Sequence, residues 1–89
     1  MDKTDLSLQV TILTPKQLLF QGKASSVSST NSDGKFDILA EHANFITLVE
    51  NQPIEVMVLD KGLQTFNFTQ AIIYNSQNKV SILAEPLSK

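Results

Sequence analysis

His42 is the one histidine in this 89-residue chain, and Glu41 stands next to it. A histidine beside a carboxylate can shuttle a proton or bind a metal, but either task needs further groups converging on it. The sequence offers no second histidine, no cysteine and no pair of carboxylates at ligand spacing. In an extended segment neighbouring side chains also point to opposite faces, so Glu41 does not aim at His42. His42 therefore reads as a loop histidine that bonds backbone or meets a protein partner. The three glycines stand apart and make no phosphate-cradling loop. Phe66, Phe68 and Tyr74 could stack on bases, yet no basic residues interleave them, so all three read as core. Asp33-Gly34-Lys35 reads as a hairpin tip with Lys35 as its charged point. No catalytic, cofactor-binding or metal-binding residue is expected.

Composition narrows the classes further. A chain this short buries roughly 60–65% of the surface its unfolded form exposes, enough for one modest core. Hydrophobic residues make up 42% of it, which is ordinary for a folded domain and too many for a disordered one. The net charge is −2, and the seven basic residues are all lysines scattered along the chain. Nucleic-acid backbones need clustered Lys and Arg, so no nucleic-acid partner is expected. Without arginine there is no bidentate clamp for phosphate or carboxylate. No apolar run approaches the roughly 18–20 residues that span a bilayer. The charged start Met1-Asp2-Lys3-Thr4-Asp5 has no apolar stretch behind it, so no signal peptide is expected.

The elements that must position these residues follow a period of two. Leu6, Leu8, Val10 and Ile12 alternate with polar residues, as a half-buried strand does, and Pro15 breaks the run. Leu18-Leu19-Phe20 predicts a short strand ending at Gly22. Ala24 to Ser29 predicts a solvated edge strand. Phe36 and Ile38 resume the alternation, and Ala40 to Asn44 connects onward. Phe45 to Val49 reads either as a strand or as part of a short helix through Leu39, Ala43 and Ile46. Ile54, Val56 and Val58 lead into the hairpin loop Asp60-Lys61-Gly62. Phe66 and Phe68 share a face, Ala71 to Tyr74 follows, and Val80, Ile82 and Ala84 close the pattern. The sum is about nine or ten short strands with turn signals every eight to ten residues. Faces that alternate must be buried against a second layer. The expectation is an all-β, two-sheet β-sandwich forming a single domain over 5–86, with short tails at 1–4 and 87–89.

Three segments carry a family likeness. Val10-Thr11-Ile12-Leu13-Thr14-Pro15-Lys16 with Leu19-Phe20-Gln21-Gly22-Lys23-Ala24 resembles the opening of the ε subunit of F-type ATP synthase. There a strand runs into a Thr-Pro turn, then Leu-Phe-x-Gly-x-Ala, then a Val, here Val27. Gly34-Lys35-Phe36-Asp37-Ile38-Leu39-Ala40-Glu41-His42-Ala43-Asn44 fits the family's Gly-x-Phe-Gly-Ile-Leu-Pro-x-His-Ala-Pro. Asn78-Lys79-Val80-Ser81-Ile82-Leu83-Ala84-Glu85 is similar to the last strand of its N-terminal sandwich. The likeness runs from about Leu8 to Glu85. Asp37, Ala40 and Asn44 depart from the usual Gly and prolines, Thr69-Gln70-Ala71 stands where a Gly-Gly pair is common, and Asn51-Gln52-Pro53 lacks the family's usual Gly.

The resemblance implies a non-catalytic rotor subunit of the central stalk, linking the γ subunit to the membrane c-ring and coupling proton flow to ATP synthesis. Binding would be by area, through an apolar strand face or edge against γ and a polar end toward the ring. It marks Lys35, Leu39, Glu41, His42 and Ala43 as partner contacts, with the Asp33-Gly34-Lys35 tip beside the His42 loop. It places the chain peripherally on the cytoplasmic, matrix or stromal face of an energy-transducing membrane, touching the membrane only through the c-ring. An isolated chain is expected to be a monomer with no cofactor. The family's C-terminal helical hairpin, associated with inhibition and in some members with ATP binding, has no counterpart before Lys89. The altered turns and the missing helices also fit a free-standing β-sandwich protein-binding module that has left the synthase.

Overall fold

Seven strands make up the fold in the computed structural model, which describes residues 7–86. They are β1 (Leu8–Leu13), β2 (Leu18–Asn31), β3 (Gly34–Leu39), β4 (Phe45–Glu50), β5 (Pro53–Val58), β6 (Gly62–Ser76) and β7 (Lys79–Pro86). Asp5, Leu6 and both expected tails lie outside the described residues. Two strands, β2 at 14 residues and β6 at 15, are long because each belongs to two layers. The first half of β2 pairs with β1 and the second half with β3 and β5. The first half of β6 pairs with β5 and the second half with β4 and β7. Counting those two strands twice turns seven strands into nine segments. That is why the turn spacing suggests nine or ten.

One layer runs β3, second half of β2, β5, first half of β6. The other runs first half of β2, β1, β7, second half of β6, β4. The β1–β7 pairing is parallel and the other ladders are antiparallel. Each shared strand changes layers at an irregularity in register, between Ala24 and Ser26 in β2 and between Phe68 and Gln70 in β6. An extra residue there flips which parity faces inward. Ala24 is buried at an even position, then Val27 and Ser29 at odd ones. Phe68 is buried at an even position, then Ala71, Ile73 and Asn75 at odd ones.

Between the layers lie Leu8, Val10 and Ile12 of β1, Ile38 of β3, Val49 of β4, Ile54 and Val56 of β5, and Val80 and Ile82 of β7. Full burial of each such side chain contributes about 1.5–3 kcal/mol. Phe20, Phe66 and Phe68 form one ring cluster, and Phe36 meets Phe45 at 5.3 Å between centroids.

Three expectations change. Ala24 to Ser29 is no edge strand, because β3 and β5 flank it on both sides. Phe45 to Val49 is a strand rather than a helix, since its β-branched and aromatic side chains pair along β6. Tyr74 is 47% exposed and stands on the outer face, not in the core, because β6 has changed parity before it.

Candidate protein-interaction site

The connection from β3 to β4 crosses from one layer to the other, and its residues Glu41 to Asn44 are exposed. Its backbone is nonetheless fixed. The His42 N–H donates to the Leu39 carbonyl at 3.1 Å, closing a turn at the end of β3. Glu41 takes a left-handed φ of 70°, which a non-glycine residue adopts only when its surroundings hold it there. Asn78, in the β6–β7 turn, does that holding. Its Oδ1 accepts from the Glu41 N–H at 2.7 Å and its Nδ2 donates to the Glu41 carboxylate at 3.2 Å. The Asn75 amide donates to the Ala43 carbonyl at 3.1 Å and lies 3.4 Å from that of His42. The His42 ring sits edge-on to Phe45 at 5.6 Å, and its Nδ1 lies 2.8 Å from the Ala43 carbonyl. These two contacts orient an exposed imidazole ring. Among the described residues no His, Asp and Glu side chains gather into a group that could hold a metal.

Glu41, His42 and Ala43 thus lie together on one exposed connection, which follows directly from Leu39 at the end of β3. Lys35 does not join it. Lys35 is the second residue of β3, opposite Thr30, whereas Leu39 closes the strand opposite Ser26. Four residues of strand separate the two by about 13 Å. The Asp33-Gly34-Lys35 tip lies toward β4 instead, where the Asn31 amide donates to Thr47 Oγ1 at 2.9 Å. The expected adjacency of tip and loop is corrected accordingly: they occupy opposite ends of one strand.

A second feature was not among the residues singled out from sequence. On the outer face of the five-segment layer, Leu48, Ile72, Leu83, Leu13 and Leu18 are successive cross-strand partners. Each is between 37% and 52% exposed. Ile46 and Tyr74, paired one step along, are also exposed. Leu13, Ile72 and Leu83 line a shallow depression of about 390 Å³ together with Pro15. Single exposed leucines are ordinary, but a row crossing a whole sheet marks an interaction face. The signal was present in Ala71-Ile72-Ile73-Tyr74, where both parities are apolar. The other layer carries a smaller group on its outer face, Leu39, Met57 and Leu63, aligned through Ser26.

The sequence profile of a family described as ATP synthase, Delta/Epsilon chain, beta-sandwich domain matches residues 7–88. The chain belongs to that family. Its similarity to named delta/epsilon-family proteins is of moderate depth. An ATP synthase epsilon chain from Sulfurimonas denitrificans is 33% identical over 78 residues, covering 88% of this chain and 60% of the relative. One from Chlorobium limicola is 28% identical over 88 residues, covering 99% of this chain and all of the relative. The chain therefore spans less than two thirds of the first relative and the full length of the second. Among solved structures, a chain of the Euglena gracilis mitochondrial ATP synthase (OSCP/F1/c-ring) superposes with a TM-score of 0.80 at 15% identity. That superposition covers 89% of this chain and 51% of the other. A chain of the Tetrahymena thermophila mitochondrial ATP synthase, from its central stalk/c-ring structure, gives 0.73 at 15% identity. It covers 88% of this chain and 63% of that one. At such identities these structures speak for the delta/epsilon sandwich fold alone, and the residue-level surfaces are this chain's own.

Proposed function

We propose that this delta/epsilon-family sandwich is a non-catalytic rotor subunit of an F-type ATP synthase. In this role it joins the γ subunit to the c-ring, so that torque passes between proton flow and the catalytic head. The observation that carries the reading is the exposed apolar row Leu48–Ile72–Leu83–Leu13–Leu18, a face built for another protein rather than for water. That face meets γ. The exposed connection of Leu39, Glu41, His42 and Ala43 is the second contact, and Lys35 is a separate charged contact at the other end of β3. The chain touches the membrane only through the c-ring, on the side where the catalytic head lies.

The test is co-purification of this chain with the cognate γ subunit and c-ring, with Lys35→Glu and His42→Ala variants alongside. Stable capture, weakened by the variants, is expected. A folded domain that captures neither partner would remove the synthase role and leave the free-standing binding module as the reading.

A further inference from the structure

Asn75 breaks a rule that the rest of β6 obeys. Ala71, Ile73 and residue 75 share the inward face of the strand, and the first two are apolar. Asn75 is fully buried, between its cross-strand partners Phe45 and Val80. A buried amide in such a place is retained only where its hydrogen bonds matter, because an apolar side chain of similar size packs there without desolvation. The bonds it makes go in one direction. Nδ2 donates to the Ala43 carbonyl and approaches that of His42, whereas Oδ1 is buried with no partner among the described residues. Among the described residues, the hydrogen bonds of the Asn75 side chain thus all go to the β3–β4 connection.

We infer that Asn75 is a positioning residue: it ties the backbone of His42 and Ala43 to the floor of the sandwich and so holds the loop in the shape its partner meets. Asn78 secures the same loop from the other side through Glu41, and its own carbonyl is fixed by the Gln9 N–H at 2.8 Å. Between them the two asparagines hold a segment whose side chains are exposed, with the His42 ring set edge-on to Phe45. A loop ordered in advance binds without the entropy loss that a loose one incurs on docking. The inference rests on the proposed role of this loop as a partner contact.

Asn75→Val tests it, because valine suits a buried strand position and carries no hydrogen-bonding group. Asn78→Gly is the second variant: glycine accepts the left-handed φ of 63° and deletes the side chain that holds Glu41. Three readouts are taken on both: urea midpoint, amide exchange at Glu41 and His42, and affinity for the assembled γ subunit and c-ring. Asn75→Val is expected to leave the midpoint unchanged or higher, speed exchange at the Glu41 amide, and weaken binding roughly tenfold. Asn78→Gly is expected to do the same to the loop. Wild-type binding and wild-type loop exchange in both variants would overturn the inference while leaving the rotor reading in place. So would a lower midpoint with an unchanged loop, since that is what a purely structural residue does. If the wild-type chain binds neither partner, the rotor reading fails by itself. Exchange at Glu41 then decides whether Asn75 orders the loop: faster exchange upholds that, and unchanged exchange overturns it.

Discussion

Replacing Ile72 with threonine is expected to weaken binding to the γ subunit without unfolding the domain. Threonine keeps the β-branch that suits a strand but loses most of the apolar surface. Fully burying an isoleucine is worth about 1.5–3 kcal/mol. Ile72 is 43% exposed, so docking can bury that remaining share, worth roughly 0.6–1.3 kcal/mol. Leu83, its direct partner across the β6–β7 ladder, is 52% exposed and contributes slightly more. With one methyl retained at each site, the double variant Ile72→Thr/Leu83→Thr is expected to lose about 1–2 kcal/mol, a factor of roughly 5–30 in Kd. The two residues touch, so the double effect will differ from the sum of the single ones. Titration calorimetry against purified γ reads the affinity, and urea unfolding of each variant checks the fold. Met57→Thr is the control: it is 39% exposed, on the outer face of the other layer. A double variant that binds within twofold of wild type would refute the assignment of this face. Equal weakening by Met57→Thr would refute it too.

Three further outcomes follow from the geometry. Ile73→Ala, one residue from Ile72 but facing inward and fully buried, is expected to cost about 2–5 kcal/mol in urea unfolding, and a loss below about 1 kcal/mol would contradict the layer assignment. Gln77→Asn should raise stability by a few tenths of a kcal/mol, since Gln77 and Asn78 both take positive φ in a two-residue hairpin turn that favours asparagine. A lower urea midpoint would contradict that turn geometry. Lys35→Glu and His42→Ala, at opposite ends of β3, should weaken capture of the γ subunit and c-ring independently, and a double variant no worse than the stronger single one would show that they act as one site.

The alternation of β1, β3, β5 and β7 was legible because each keeps one parity inward for its whole length. Leu8, Val10 and Ile12 show it, as do Ile54, Val56 and Val58. The long strands were harder. In β2 and β6 an irregularity reverses the parity, so Gly22, just before the change at Ala24 to Ser26, and the polar residues near Gln70 look like ends although each strand runs on into the other layer. That reversal also put Tyr74 on the wrong face. For the loop, the family resemblance brought out Leu39, Glu41, His42 and Ala43 together, and they lie within one short segment. It joined Lys35 to them wrongly, because contiguity along an extended strand means distance. The apolar row is assembled from five strand segments, so its composition could be read only in pieces, and its existence depends on register. Asn75 was hidden for the same reason: until β6 has a register, an asparagine near a turn looks like part of the turn.

The most direct test places a photo-reactive residue at Ile72, at His42 and at Met57 in turn and cross-links the assembled synthase in its membrane. Position 72 is expected to cross-link to the γ subunit, position 42 to a stalk or ring partner, and position 57 to γ weakly or not at all. Cross-links to γ from position 57 with none from position 72 would mean that the five-segment layer does not carry the stalk contact.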